Sequence, residues 1–131
     1  MTEHRIVHEP ADDREERVLA TEVEFADSML ARARGLMFRA SIPEEYALVM
    51  EMGTGLFGRP SVQAVHMLFV RFPIDVVWLV DDEVQQVAHM RPWRSIASAR
   101  ADRILELPAG NAEAVESGDT VRVEGLDSGS G

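Results

Sequence analysis

The chain has 131 residues, enough for one domain with a sizeable core, and its 23 acidic and 13 basic residues give a formal net charge of −10. The absence of cysteine excludes disulfides, thiolate metal sites and cysteine nucleophiles, and the acidic balance argues against nucleic acid as a partner. All 13 basic residues are arginine. An acidic surface without lysine indicates a halophilic protein, because molar salt screens acidic self-repulsion. A GC-rich genome combined with chance acidity is the alternative.

The two ends of the chain are polar. Residues 1–14 are predicted to form a loose tail or a weak edge strand, residues 15–125 a single β-rich domain, and residues 126–131 a disordered tail. The sequence shows no apolar targeting segment and no uninterrupted apolar run of membrane-spanning length. We therefore expect a cytoplasmic protein that does not bind membranes.

The first part of the domain combines strands with one short helix. Alternation of apolar and polar residues predicts a strand over Val18–Phe25. Asp27 is placed to cap a helix that runs to about Arg34 or slightly beyond. Its apolar stripe comprises Met29, Ala33, Leu36 and Met37. A second strand, Tyr46–Met52, leads into a glycine-rich loop over 53–60.

That loop contains a pattern typical of dinucleotide-binding proteins. Gly53, Gly55 and Gly58 spell G-x-G-x-x-G after a predicted strand. A phosphate cradle of this kind requires a helix that opens at the third glycine, whereas here Arg59–Pro60 and a strand-like segment follow. We therefore interpret the glycines as a flexible connection.

The most apolar stretch, Val62–Val80, is predicted to form two strands that are divided at Pro73, since proline cannot donate to a sheet ladder. The first strand covers about Ser61–Leu68. The second, Ile74–Val80, is nearly continuous in apolar residues, which predicts burial on both faces. A polar turn at 81–83 returns the chain as a hairpin partner over Val84–His89.

The remaining chain is predicted to be irregular over Arg91–Arg100 and to form a strand over Arg103–Leu107. Asn111 is placed to cap a helix over Ala112–Ser117, which Gly118 ends, before a last strand over Thr120–Glu124. The predicted fold class is mainly β (α+β): a compact, mostly antiparallel β-barrel or sandwich-like domain with two short helices.

Four segments together resemble a known family. In chain order they are Arg34–Arg39 (RGLMFR), Pro73–Asp75 (PID), Ile104–Gly110 (ILELPAG) and Gly118–Asp119. In this order and spacing the four segments resemble those of the uncharacterised family called domain of unknown function 192. The resemblance covers roughly residues 18–124. The resemblance implies a compact β-rich domain with short helices, and it implies no particular activity.

The resemblance has one departure. Many relatives read aromatic-Met-Lys-Asn-Thr before the proline segment, whereas this chain reads His66-Met67-Leu68-Phe69-Val70. The methionine is kept, but the three polar residues have become apolar. If those residues serve a site in the relatives, that site is altered here; if they serve only a turn, nothing is lost.

Ionisable residues near the predicted core suggest two classes of function. One is a metal-assisted or acid–base hydrolase-type enzyme built on His66, Asp75 and Glu106, with His89 as a further member. No local motif such as H-E-x-x-H supports it. Arginines could instead clamp each acid in a purely structural role.

The favoured class is a small binding or accessory module, with no cofactor, no metal and no assigned catalytic residue. Apolar and aromatic residues together with arginines suit a small anionic or amphipathic ligand, and exposed aromatic residues could equally contact a protein partner. The candidate ligand-binding residues are Arg39, His66, Arg71, Asp75, Arg94 and Glu106.

Overall fold

The computed structural model of the chain describes residues 3–26, 28, 35–37, 39–53 and 56–125. Within these ranges the chain is mainly β, as predicted, and its one helical element is a single 3₁₀ turn, Leu56–Gly58. No helix in the described ranges is long and apolar enough to cross a bilayer. The strands are β1 Arg5–Glu9, β2 Arg17–Ala20, β3 Glu22–Ala26, β4 Tyr46–Glu51, β5 Ser61–His66, β6 Ile74–Val80, β7 Glu83–Met90, β8 Ile96–Ala101, β9 Arg103–Pro108 and β10 Thr120–Glu124.

Eight strands form one mixed sheet in the order β2-β1-β10-β7-β6-β9-β4-β3. Only β3 and β4 pair in parallel, and β5 and β8 form a separate antiparallel ribbon. The large sheet is not closed into a barrel. Its two edge strands, β2 and β3, follow each other in the chain and are joined by Thr21. They do not pair with each other: the amide groups of Thr21 and Glu22 both donate to the Glu45 carbonyl oxygen. The predicted single strand over 18–25 is therefore two strands at opposite edges.

The second predicted helix does not form. Residues 109–114 make successive turns, in which the Glu113 amide donates to the Gly110 carbonyl and the Val115 amide to the Ala112 carbonyl. Six residues gain little from helix formation because nucleation is unfavourable. In addition, the Asp75 carboxylate already accepts two amide groups of this segment. The first predicted helix, from Asp27 to about Arg34, lies outside the described residues apart from Ser28.

Two other segments differ from their predictions. Arg5–Glu9, expected in a loose tail or weak edge strand, is an interior strand that pairs with β10 along its length and with β2 on its other side. Its middle residues, Ile6, Val7 and His8, are buried. Ile96–Ala101, expected to be irregular, is β8, whose small side chains allow the ribbon to lie close to the sheet.

The strand β6 is buried on both faces, as its sequence predicts. Ile74, Val76 and Trp78 pack in a cluster with the β5–β8 ribbon, and the Trp78 indole donates to the Gln63 carbonyl at 2.9 Å. Val77 and Leu79 pack on the other side with the segment 109–119. We call these two sides of the sheet the ribbon face and the loop face.

Candidate functional site

The two buried acids of the predicted site lie on opposite faces of the sheet. Asp75 is in register with Leu107 of the loop-face cluster, and Glu106 is in register with Val76 of the ribbon-face cluster. Side chains alternate between faces along a strand, so one sheet thickness separates the two carboxylates. The convergent site of His66, Asp75 and Glu106 is therefore wrong.

Asp75 is held by a histidine and two amide groups, and no arginine contacts it among the described residues. Its Oδ1 lies 2.7 Å from Nδ1 of His89, while Oδ2 accepts the amide groups of Gly110 at 3.0 Å and Ala112 at 2.9 Å. Asp75 is fully buried, whereas the His89 side chain is 62% exposed. The carboxylate thus anchors the segment 109–119 and orients an exposed imidazole.

Glu106 is buried on the ribbon face, and no such partner holds it among the described residues. Within these residues its Oε1 has no hydrogen-bond partner, and the backbone of Gly35 packs so close that an added Cβ would lie 3.3 Å from this oxygen. Burial raises the pKa of Glu106 to about 7, against an opposing effect of the Arg39 charge. At neutral pH this carboxyl group is therefore partly protonated.

Arg39 is fixed away from Glu106 by another acid. Its Nη2 donates to Glu24 Oε1 at 2.9 Å, the Tyr46 hydroxyl donates to the same oxygen, and the guanidinium lies 5.5 Å from the Tyr46 ring centroid. The hydrogen bonds from Tyr46 and Arg39 lower the pKa of Glu24. Leu48 stands between Glu24 and Glu106 in the cross-strand register, so Arg39 influences Glu106 through its charge alone.

The remaining predicted residues lie close in sequence to an exposed apolar cluster at one end of the ribbon. The cluster consists of Leu68, Phe69, Trp93 and Ile96, which are 51%, 43%, 51% and 72% exposed, and we call it the aromatic tip. The rings of Phe69 and Trp93 meet edge to face with centroids 5.2 Å apart. The backbone of Met67 ties the two sides together, since its carbonyl accepts the Trp93 amide at 2.9 Å and its amide donates to Ser95.

Both aromatic residues of the tip have a left-handed backbone. The φ angle is 62° at Phe69 and 68° at Trp93. Bulky L-residues rarely adopt this conformation, which costs of order 1–3 kcal/mol, and such strain concentrates at binding sites. The fold therefore holds two large apolar rings in solvent at an energetic cost.

Three arginines lie beside the tip in sequence: Arg71, Arg91 and Arg94. All three are exposed. In the described part of the chain none of them forms an ion pair, which is also true of Arg17, Arg59 and Arg100. The arginines that do form ion pairs are Arg5, Arg14, Arg39, Arg103 and Arg122. His66, at the end of β5, is also exposed and its Nδ1 accepts the Leu68 amide at 3.2 Å. Of the predicted residues, His66 is thus at the ribbon end that carries the tip and Arg71 and Arg94 lie near the tip in sequence, whereas Asp75 and Glu106 are buried in the sheet.

Comparison with known families assigns most of the chain to one family. The family model DUF192, described as Uncharacterized ACR, matches residues 10–123. The chain belongs to the DUF192 family. The UPF0127 protein of Pyrococcus horikoshii is 37% identical to it over 105 residues, which cover 77% of this chain and 86% of that protein. That of Pyrococcus furiosus is 39% identical over 102 residues, covering 75% and 83%.

Two crystal structures resemble this DUF192 chain in fold. One, from Sinorhizobium meliloti, is named as a candidate transcription regulator; it has a TM-score of 0.74 and 22% identity, with 95% of each chain covered. The other, a protein of unknown function from Novosphingobium aromaticivorans, has a TM-score of 0.74 and 21% identity, covering 90% of this chain and 83% of that one. At these identities the likeness concerns the fold alone.

Sequence reasoning missed a buried hydrogen bond between a histidine and an aspartate of this DUF192 domain. His8 Nε2 lies 2.7 Å from Asp119 Oδ2, and Asp119 also accepts the amide groups of Ala11 and Glu116. Burial would raise the pKa of Asp119, but these hydrogen bonds and the nearby Arg14 lower it to about 2. No signal marked this pair, because its two members are 111 residues apart and His8 lies in a polar segment.

Proposed function

We propose that this DUF192 protein is a binding module that takes an amphipathic anion at the aromatic tip. The observation that carries the proposal is the exposed Phe69–Trp93 pair, held edge to face with both backbones left-handed. A protein gains nothing in its own stability from strained, solvent-exposed rings. The rings do supply a rigid apolar surface that loses little conformational entropy when a ligand binds.

The charge beside the tip selects the sign of the ligand. Arg71 and Arg94 are exposed and unpaired within the described residues of a chain whose net charge is −10. An arginine fork suits a carboxylate or phosphate, and the apolar rings suit an acyl or aryl group. The ligand class is therefore an organic acid with an apolar tail, and a protein segment of the same chemistry would use the same contacts.

We further propose that this protein works at high salt. The support is the acidic, lysine-free composition together with the many exposed carboxylates that the fold distributes over its surface. Under such conditions the apolar contacts of the tip contribute most of the binding free energy, because salt screens exposed charges but strengthens apolar association.

Trp93 provides a direct test, because its emission reports on burial of the tip while Trp78 is already fully buried. We expect the Trp93 emission to shift to shorter wavelength, and the shift to saturate, when decanoate is titrated below its micellar concentration. Because Trp93→Ala removes the fluorescence signal, decanoate binding to this variant is measured by titration calorimetry. Arg94→Gln should weaken decanoate at least threefold and leave decanol unchanged.

Matched controls lie at the other end of β5. Phe57 is 89% exposed and also has a positive φ of 62°, and Arg59 is exposed. Phe57→Ala and Arg59→Gln should leave decanoate affinity unchanged. Equal losses in both sets of variants, or no binding of decanoate to the native protein, would refute the proposal.

A further inference from the structure

One edge of the large sheet is open along its outer side. β2, Arg17–Ala20, is the terminal strand and pairs with β1 alone. After Thr21 the chain continues into β3, which pairs with β4 at the opposite edge of the sheet. In the part of the chain that the structure describes, no strand covers the outer side of β2, so its outward amide and carbonyl groups are available to a further strand.

A cleft runs beside this edge. It has a volume of about 530 Å³, and it is bounded on one side by the β2 residues and on the other by 44–45 and 110–114. The far wall is held in place, because Asn111 Nδ2 donates to the Glu44 carbonyl at 2.6 Å and Asp75 anchors the amide groups of Gly110 and Ala112. An open strand edge therefore faces a prebuilt space.

The wall of the cleft opposite β2 is acidic. Glu44, Glu45 and Glu113 line it, and all three are exposed, while Arg17 lines the cleft on the β2 side. None of the three glutamates forms an ion pair with an arginine within the described ranges, although Glu45 accepts the Thr21 hydroxyl at 3.3 Å. A segment entering the cleft would meet carboxylates on the wall opposite β2, while the exposed Val18 offers an apolar contact.

We propose that this cleft binds an extended peptide segment with basic side chains, which adds to β2 as a further strand. Main-chain hydrogen bonds to an exposed edge supply affinity in this mode, and side-chain contacts supply specificity. β2 has four residues, which span about 13 Å at roughly 3.3 Å per residue, so the bound segment is short. A second copy of this acidic chain does not fit, because it would bring like charge to the glutamates.

The test uses a fluorescein-labelled hexapeptide in which arginine and valine alternate, with the full-length protein at the lowest KCl concentration at which circular dichroism shows it folded. We expect the fluorescence anisotropy of the peptide to rise with protein concentration and to saturate. The same peptide methylated on alternate backbone nitrogens should bind at least tenfold more weakly, because it cannot pair with β2. The double variant Glu44→Gln/Glu113→Gln should bind at least fivefold more weakly.

The competing outcomes separate this site from the aromatic tip. NMR amide shifts on peptide addition should centre on 17–20, and Trp93→Ala should not change peptide affinity. Equal binding of the methylated peptide would show simple charge attraction and overturn the proposal. So would shifts centred on 68–69 and 93–96, or no saturable binding at 1 mM peptide. Failure of decanoate to bind at the tip would leave the result of this experiment unaffected.

Discussion

Asp75 and Glu106 sit one register step apart on the neighbouring strands β6 and β9, yet their side chains point to opposite faces of the sheet. Both oxygens of Asp75 accept hydrogen bonds or face His89, whereas one oxygen of Glu106 has no partner in the part of the chain that the structure describes. The two acids therefore have separate roles, and each can be tested alone.

The stability of the protein should fall as pH rises through the titration of Glu106. Burial raises the pKa of Glu106 in the folded state to about 7, from an ordinary value of 4.5. Between these values the folded state binds the extra proton, so the free energy of unfolding declines with pH and levels off above about 7. The full penalty is on the order of 3 kcal/mol. Urea denaturation at pH 5.5 and 8.5 should show about 2 kcal/mol of it, because part of the decline lies below pH 5.5.

Glu106→Gln should remove most of this pH dependence, because a neutral amide of similar shape carries no titrating proton. The variant should be the more stable protein at pH 8.5. Glu22→Gln, at an exposed position, is the control and should keep the native pH profile. An unchanged slope in Glu106→Gln would show that other groups cause the dependence.

Asp75→Asn should destabilise the protein by about 2 kcal/mol, because a neutral amide loses the charge that strengthens the hydrogen bonds of the carboxylate with His89 and the two backbone amides. Hydrogen exchange of Gly110 and Ala112 should accelerate relative to β6. The exposed Asp13→Asn serves as a control with little expected effect. A variant with native exchange rates at both amides would contradict the anchoring role.

Gly35→Ala should cost about 1–2 kcal/mol for two reasons. Gly35 has a φ of +51°, and an added Cβ would press on Glu106 Oε1 at 3.3 Å. Gly118→Ala separates these effects, since Gly118 has a φ of +94° but open space around it; Gly53→Ala has neither constraint. In thermal unfolding, the loss of stability should be largest for Gly35→Ala, smaller for Gly118→Ala and smallest for Gly53→Ala. Equal losses at Gly35 and Gly118 would exclude the contact with Glu106.

Substitution at the aromatic tip should reverse the usual preference for alanine over glycine. Because Trp93 has a φ of 68°, Trp93→Gly should be more stable than Trp93→Ala by about 1 kcal/mol. At Ile96, exposed on the regular strand β8, alanine should instead be the more stable by about 0.5–1 kcal/mol. The same order at both positions would show that the tip carries no backbone strain.

The melting temperature should rise between 0.1 M and 2 M KCl, because the Debye length falls well below the spacing of the surface carboxylates and self-repulsion at a net charge of −10 is screened. Differential scanning calorimetry tests this. A double variant, Asp13→Asn/Glu15→Gln, should show a smaller rise, since both side chains are exposed. A flat response of the native protein would favour genome composition as the origin of the missing lysine.

The sequence alone determined the family, the mainly β class and several strands to the residue. β6 and β10 have their predicted bounds, Ile74–Val80 and Thr120–Glu124, because their apolar patterns end at strong turn signals. The predicted β6–β7 hairpin is confirmed, since its polar turn is also a strong signal in the sequence. The turn residues Asp81 and Asp82 have positive φ angles. Prediction failed at β1 and β8, where few large apolar residues mark the strand, and at 112–117, where a distant carboxylate holds turns instead of a helix.

Only the tertiary structure decided which ionisable residues meet. Sequence spacing places Asp75 and Glu106 in apolar strands, but the sheet register assigns them to opposite faces, and a register shift of one residue would have reversed this. The pairing of Asp75 with His89 depends on the hairpin register, and the left-handed backbones of Phe69 and Trp93 depend on hydrogen bonds across the ribbon end. Local pattern thus determines which segments become strands, while contacts between residues far apart in the chain determine the site, because they form only once the strands have paired.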